Sequence, residues 1–326
     1  MTSTFTFVLT KNGGINQLNL LKSMDTSRSP FILVVGGTGT QGGNVARELL
    51  AYGHQVRVLS RNPESFAAQQ IAAKGANVVK GDLGDFNALL PVMKDVTAIF
   101  SAQYADPFDP SIEPRNARNL VQAAQEMGVQ QVVHTSISGT TVFPRWDKHP
   151  SLASLFDQKY AIEELVRNGG FHHWTILHPC WFMENFVEPL ATLMAPGLKY
   201  GKLFGIMHPD TPLKMNSGAD TALFARSAFE EPDRFHAKDI NIAAEECSWN
   251  QIAATLSNAL GKEVTYEQVT RQQAIDRGLL KEIVNGIEWF DETGFGFDLR
   301  ETLHYGIPLK TFRQWVDENK NRIVVD

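Results

Sequence analysis

Cysteine is scarce in this chain. Cys180 and Cys247 are the only two among 326 residues, which excludes a disulfide framework and a thiolate zinc cluster. Positive charge is not in excess either. Thirty Lys and Arg against 36 Asp and Glu give a net charge of −6, so nothing calls for nucleic acid or an anionic membrane surface as a direct partner. No apolar run approaches the roughly 18 residues of a membrane span. What remains is the balance of a soluble globular protein, 43% hydrophobic and 20% charged, in a chain longer than one typical domain. A reduced, cytoplasmic protein is the expectation.

Residues 1–29 look foreign to the rest. They are rich in Ser, Thr and Asn, with one acid, Asp25, and three basic residues, Lys11, Lys22 and Arg28. Such a composition suits an organelle transit peptide, but Gly13 and Gly14 work against an amphipathic helix. A non-core, disordered extension, with Met24 as the functional start, is the favoured alternative.

The most informative stretch is 31–42, Phe-Ile-Leu-Val-Val-Gly-Gly-Thr-Gly-Thr-Gln-Gly. An apolar run reads as a buried parallel strand, the glycines as a tight turn, and 44–50 as the helix that follows. Strand, glycine turn and helix are the parts that hold a pyrophosphate. Gly36 permits the turn, Gly39 lets backbone approach the phosphates, and Gly42 lets helix pack on strand. The helix N-terminus then offers free N–H groups and positive potential. Dinucleotide binding is the function this context implies.

Strands and helices alternate from there. Strands are expected at 55–60, 77–80, 96–101, 132–136 and 174–177. Between them fall helices from Pro63, from Asp85 to Met93, at 113–127 and at 151–168. This is α/β patterning, a doubly wound parallel sheet of Rossmann type. After Pro179 the rhythm changes to an aromatic- and Met-rich segment at 180–215. Helices are expected at 218–229, 248–260, 271–284 and 311–320, with strands at 239–243 and 264–269. The organisation read from this is an extension at 1–29, a nucleotide-binding domain at 30–178, and a smaller mixed α/β domain at 179–326 for substrate or partner. Strands are free to cross that boundary.

The end of the second strand identifies the dinucleotide. An NAD site places an acid there for the ribose 2′-hydroxyl, whereas this chain has Ser60-Arg61-Asn62-Pro63. A guanidinium pairs with a 2′-phosphate that a carboxylate would repel, so NADP(H) is favoured. Asp82 follows the third strand and suits either the adenine amino group or a loop cap.

With these residues in view, the chain resembles the NmrA-like branch of the atypical short-chain dehydrogenase/reductases. The resemblance rests on Gly-Gly-Thr-Gly-Thr-Gln-Gly at 36–42, Ser60-Arg61-Asn62-Pro63, Gly81-Asp82-Leu83, Phe100-Ser101-Ala102-Gln103, the Lys159 helix, and Pro179-Cys180-Trp181-Phe182-Met183-Glu184-Asn185. It implies an NADP-binding Rossmann domain with a small C-terminal domain, in a family divided between reductases and redox sensors. It also implies that Thr38, Thr40, Gln41, Leu83, Ser101, Ala102, Gln103, Ser136, Lys159, Pro179 and Phe182 join the glycines, Arg61 and Asp82 around the cofactor.

The superfamily's usual acid, the tyrosine of Tyr-x-x-x-Lys, is missing. Leu155 stands four residues before Lys159, and none of the six tyrosines has a lysine four residues on. Lys159 is then the one titratable catalytic candidate, for hydride chemistry or for simple ribose binding. Ser136 and Ser138 suit either ligand contact or loop capping. No metal site is read from His134, His149, His172, His173, His178 and His208, which lack ligand spacing; His178 is the one expected to face the cleft. Cys180 reads as a packed residue, and Trp181, Phe182 and Phe186 as core or as the wall of a nicotinamide and substrate site. Two functions follow. One is an oxidoreductase moving hydride from NADPH to a small conjugated carbonyl, quinone or imine; the other is a non-catalytic NADP(H) sensor acting through a protein partner.

Overall fold

The computed structural model describes residues 30–103, 109–140 and 150–326. Residues 1–29, with both readings of them, and His149 lie outside this range. The first half runs β1 (Phe31–Val35), α1 (Thr40–Ala51), β2 (Gln55–Ser60), α2 (Phe66–Ala72), β3 (Asn77–Lys80), α3 (Phe86–Val92), β4 (Ala98–Ala102), α4 (Ile112–Glu126), β5 (Gln131–Thr135), α5 (Pro150–Arg167) and β6 (His173–Pro179). The second half continues with β7 (Trp181–Phe182), α6 (Leu190–Met194), β8 (Lys202–Gly205), β9 (Pro212–Asn216), α7 (Gly218–Glu230), α8 (Pro232–Phe235) and β10 (Lys238–Ile242). It closes with β11 (Glu245–Ser248), α9 (Trp249–Leu260), β12 (Thr265–Gln268), α10 (Arg271–Asp276), α11 (Lys281–Thr293), α12 (Leu299–Leu303) and α13 (Phe312–Asn319).

Seven strands form one parallel sheet in the order β10-β6-β5-β4-β1-β2-β3. Alternate residues serve its two faces. Ile32, Val34, Phe100, Val133 and Leu177 pack under α1 and α7. Leu33, Ile99, Val132 and Ile176 pack under α3, α4 and α5. Helices cover both faces, which is why the strands are apolar on both sides. The doubly wound Rossmann-type architecture expected from the sequence is the one observed.

Much of the second half builds its own core around Phe186, Trp249, Phe312 and Trp315. There β9 pairs with β7 in parallel and with β11 antiparallel, while β8 pairs with β12. Strand β10 does not join it. Ile240 and Ile242 instead fill the sheet face under α7, making β10 the edge neighbour of β6.

Helix α1 starts at Thr40, four residues before the expected 44, and two other helix expectations differ from what forms. The helix expected from Pro63 begins at Phe66, because Asn62 Oδ1 accepts from Glu64 N–H and Ser65 keeps an extended backbone. Ser65 Oγ then caps Ala68 N, leaving Pro63 in the turn. The single helix expected at 271–284 is two, α10 and α11. Gly278, at φ +104°, breaks it in a conformation that other residues rarely adopt.

Candidate dinucleotide and substrate site

The turn after β1 leaves no room for a side chain at two of its glycines. Gly36 has φ +74°, and a Cβ there would lie 2.5 Å from the Ala102 carbonyl oxygen at the end of β4. A Cβ on Gly42 would lie 2.4 Å from the Gly36 carbonyl oxygen. Gly39 is different: it is exposed, and its Cβ would meet only that same carbonyl, at 3.4 Å. It occupies the N-cap of α1 with no side-chain cap, so the helix's first N–H groups open toward Thr38 and Thr40, both exposed. Gln41 is drawn inward, its Oε1 accepting from Thr135 Oγ1 at 2.6 Å. The result is an anion cradle at the C-terminal edge of the sheet, where α/β proteins of this class bind ligands.

Arg61 is exposed at the end of β2 and forms no salt bridge among the described residues. Strand register adds a neighbour that sequence reasoning missed. Ser60 lies opposite Lys80, so a second exposed cation stands at the same end of the sheet. Asp82 Oδ1 accepts from Gly84 N–H at 2.8 Å, a loop cap on an exposed residue. The Leu83 carbonyl takes Asn119 Nδ2 at 2.8 Å, tying that loop to α4.

Beneath the C-terminal ends of β4, β5 and β6 lies a buried polar layer facing α4 and α5. Lys159 Nζ donates to Glu113 Oε1 at 2.5 Å; both residues are buried. One turn along α5, Glu163 accepts from Ser136 Oγ at 2.6 Å, lies 3.0 Å from His178 Nε2, and pairs with Arg167 at 2.8 Å. Burial pushes Glu163 up, but its hydrogen bonds from His178, Ser136 and Arg167 hold it down at about 2. His178 therefore turns to this carboxylate and to Thr140 rather than to the cleft. Glu163, His178 and Asp239 sit close enough to suggest metal ligands, yet Arg167 bonds to both Glu163 and Asp239 and makes the cluster an ion-pair network. His134 Nδ1 lies 3.2 Å from Ser101 Oγ, which also accepts from Gln103 Nε2 at 3.3 Å. Of the serines, Ser136 is thus engaged by Glu163, while Ser138 Oγ is buried beside the Cys180 thiol.

Next to this layer is an apolar cavity of about 290 Å³. Ile137 after β5, Leu152, Leu155 and Phe156 on α5, Pro179 and Phe182 around β6–β7, and Ile283, Ile287 and Phe290 on α11 wall it. Leu155, in the place of the missing tyrosine, is one of these walls, and Lys159 lies one turn further along the same helical face. Trp181 and Cys180 also line the cavity, whereas Phe186 belongs to the C-terminal core, 5.3 Å from Phe312. Burial pushes the Cys180 thiol up to about 12, which favours its protonated form at neutral pH and fits a packed residue.

The fold is of the doubly wound α/β class, with a glycine turn between its first strand and first helix. The chain belongs to the NmrA-like family, whose model matches residues 28–307. It is 25% identical over 297 residues to the NmrA-like family domain-containing oxidoreductase hkm9 of Aspergillus hancockii, covering 85% of each chain. The NADPH-dependent quinone oxidoreductase QOR2 of Escherichia coli, solved with NADPH, superposes with TM-score 0.72 at 25% identity, over 89% of this chain and 100% of that one. The negative transcriptional regulator NmrA with NADP superposes at TM-score 0.70 over 89% of this chain and 95% of that one; at 18% identity this is a likeness of fold. Among the described residues no helix is long and apolar enough to cross a membrane.

His134 generates a pH prediction. Burial, then the nearby Lys159 ammonium, lowers it from 6.5 to about 3, so it is neutral in the folded protein. The unfolded chain binds that proton near 6.5. Stability should therefore be full above about pH 6.5 and fall by up to ~1.4 kcal/mol per pH unit as pH drops toward 3. The depressed Glu163 steepens the loss below its ordinary value of 4.5. Urea unfolding between pH 7 and 4 measures this, and His134→Asn should flatten the upper part of the slope. Constant wild-type stability from pH 7 to 4.5 would refute it.

Proposed function

We propose that this protein is an NADP(H)-dependent oxidoreductase that reduces a small conjugated carbonyl, quinone or imine. The observation that carries this reading is one juxtaposition: an uncapped, glycine-rich turn after β1 and an apolar cavity at the ends of β5 and β6 lie at the same, C-terminal edge of the sheet. The residues fit the group. Gly36, Gly39 and Gly42 leave room for a pyrophosphate, and Arg61 with Lys80 supplies cations for a 2′-phosphate. Bound there, NADPH supplies the hydride. The protein's own part is to orient and to exclude water. Leu155, Phe156, Phe182 and Phe290 present apolar walls, and Lys159, one turn beyond Leu155 on the same helical face, is held through Nζ by Glu113. A conjugated acceptor spreads the incoming charge, so the absence of a tyrosine acid is tolerable.

The sensor alternative is not favoured. The relative that matches 85% of the chain is an oxidoreductase, and the likeness to a transcriptional regulator is one of fold. A small molecule is accordingly the partner expected.

Substrate-dependent NADPH oxidation, followed at 340 nm across a panel of quinones, conjugated carbonyls and imines, is the direct test. Arg61→Ala should erase most of the preference for NADPH over NADH, a loss of ~1.5–3 kcal/mol or roughly 10- to 150-fold. Equal wild-type affinities for the two cofactors would sink the 2′-phosphate assignment. Lys159→Met keeps the packing of the stem and removes the ammonium. Turnover should drop by about 10²-fold or more while NADPH affinity moves less than about tenfold. Unchanged turnover would reduce Lys159 to a cofactor contact or a structural lysine.

A further inference from the structure

Helix α11 presents Glu282, Ile283, Gly286, Ile287 and Phe290 to the apolar cavity. Spacings of three and four place these residues on one face, with Gly286 at its centre. Glycine is a poor interior helix former, and this one sits in the middle of a 13-residue helix. Nothing in the backbone demands it. Gly286 is not at positive φ, and a Cβ there would meet no atom within 4 Å. Gly139, packed against Trp289 of the same helix, shows the contrast: φ is +100° and a Cβ would strike the Trp289 ring at 2.1 Å. At Gly286 the missing side chain leaves open space, and the helical face it belongs to directs that space into the cavity.

We propose that Gly286 sets the size of the cavity and fits it to a multi-ring conjugated substrate, with a ring seated against the α11 backbone between Ile283 and Phe290. This rests on the oxidoreductase reading given above and names its substrate class. Any side chain at 286 would occupy the slot a second or third ring needs. A single-ring substrate, held against Phe182 and Leu155, would not reach it.

Two probes of different size test this, 9,10-phenanthrenequinone with three fused rings and duroquinone with one. Their binding is read in the presence of NADP⁺ by quenching of tryptophan fluorescence, with no turnover required. Gly286→Leu should weaken phenanthrenequinone by about tenfold or more and leave duroquinone within about twofold. Gly286→Ala should raise the Tm by about 2 °C, as a relieved helix glycine does, and shift the ratio of affinities in the same direction. Should the leucine variant fail to fold, the alanine variant carries the ratio test alone. Equal loss of both probes, or loss of neither, overturns the inference while leaving the oxidoreductase reading intact. A lowered Tm for Gly286→Ala shows that the glycine is structurally required and overturns it as well. Failure of wild-type protein to bind either quinone, with no NADPH oxidation across the panel, overturns the oxidoreductase reading and this inference together.

Discussion

Three pieces of backbone meet at residues 36–42 with no room for a Cβ between them. The end of β1, the end of β4 and the first turn of α1 are in direct contact through the Gly36 carbonyl, the Ala102 carbonyl and the Cα of Gly42. That contact fixes where α1 points, and so where its free N–H groups open. Strand pairing then carries the sheet from β1 through β4 to β5 and β6, whose ends frame the cavity. Displacing α1 by the width of a methyl group would separate the cradle from the sheet edge.

The buried polar layer under β4–β6 is a second constraint, with a desolvation cost. A buried ion pair is weak evidence for stability, since removing two charges from water consumes most of their attraction. Here it is better read as positioning. Glu113 reaches Lys159 from α4, and Glu163 collects Ser136, His178 and Arg167, so the inner face of α5 is held at several points. Arg167 extends the network to Asp239 on β10, the strand that arrives from the other half of the chain. The helix that carries Lys159 is thereby tied to α4, to the ends of β5 and β6, and to β10.

The chemistry of the site follows from what fills the place of the absent tyrosine. Leu155 makes that position a wall, and most of the lining around it is aliphatic or aromatic. A cavity of this kind selects by shape and by exclusion of water, with few polar contacts to set orientation. That suits an acceptor whose own conjugation absorbs charge. The kinship with oxidoreductases of the NmrA-like family is consistent with such a division of labour.

The local order was legible in the sequence. Apolar strands, glycine punctuation and capping residues such as Asp85 act over a few residues, so 31–42 announced the turn and the alternation announced the sheet. Arg61 was legible because it is tied to the end of β2. Elements whose ends depended on a local competition, Asn62 and Ser65 against Pro63, or Gly278 within 271–284, were displaced by that competition. The partners of the site were not legible. Glu113 lies 46 residues from Lys159, Lys80 reaches the end of β2 only through strand register, and α11 supplies a cavity wall from more than 100 residues beyond. Sequence patterns encode backbone propensity and burial face, which are short-range. Which faces then pack together, and so which titratable groups meet and how much space a glycine leaves, is decided only when the chain closes on itself.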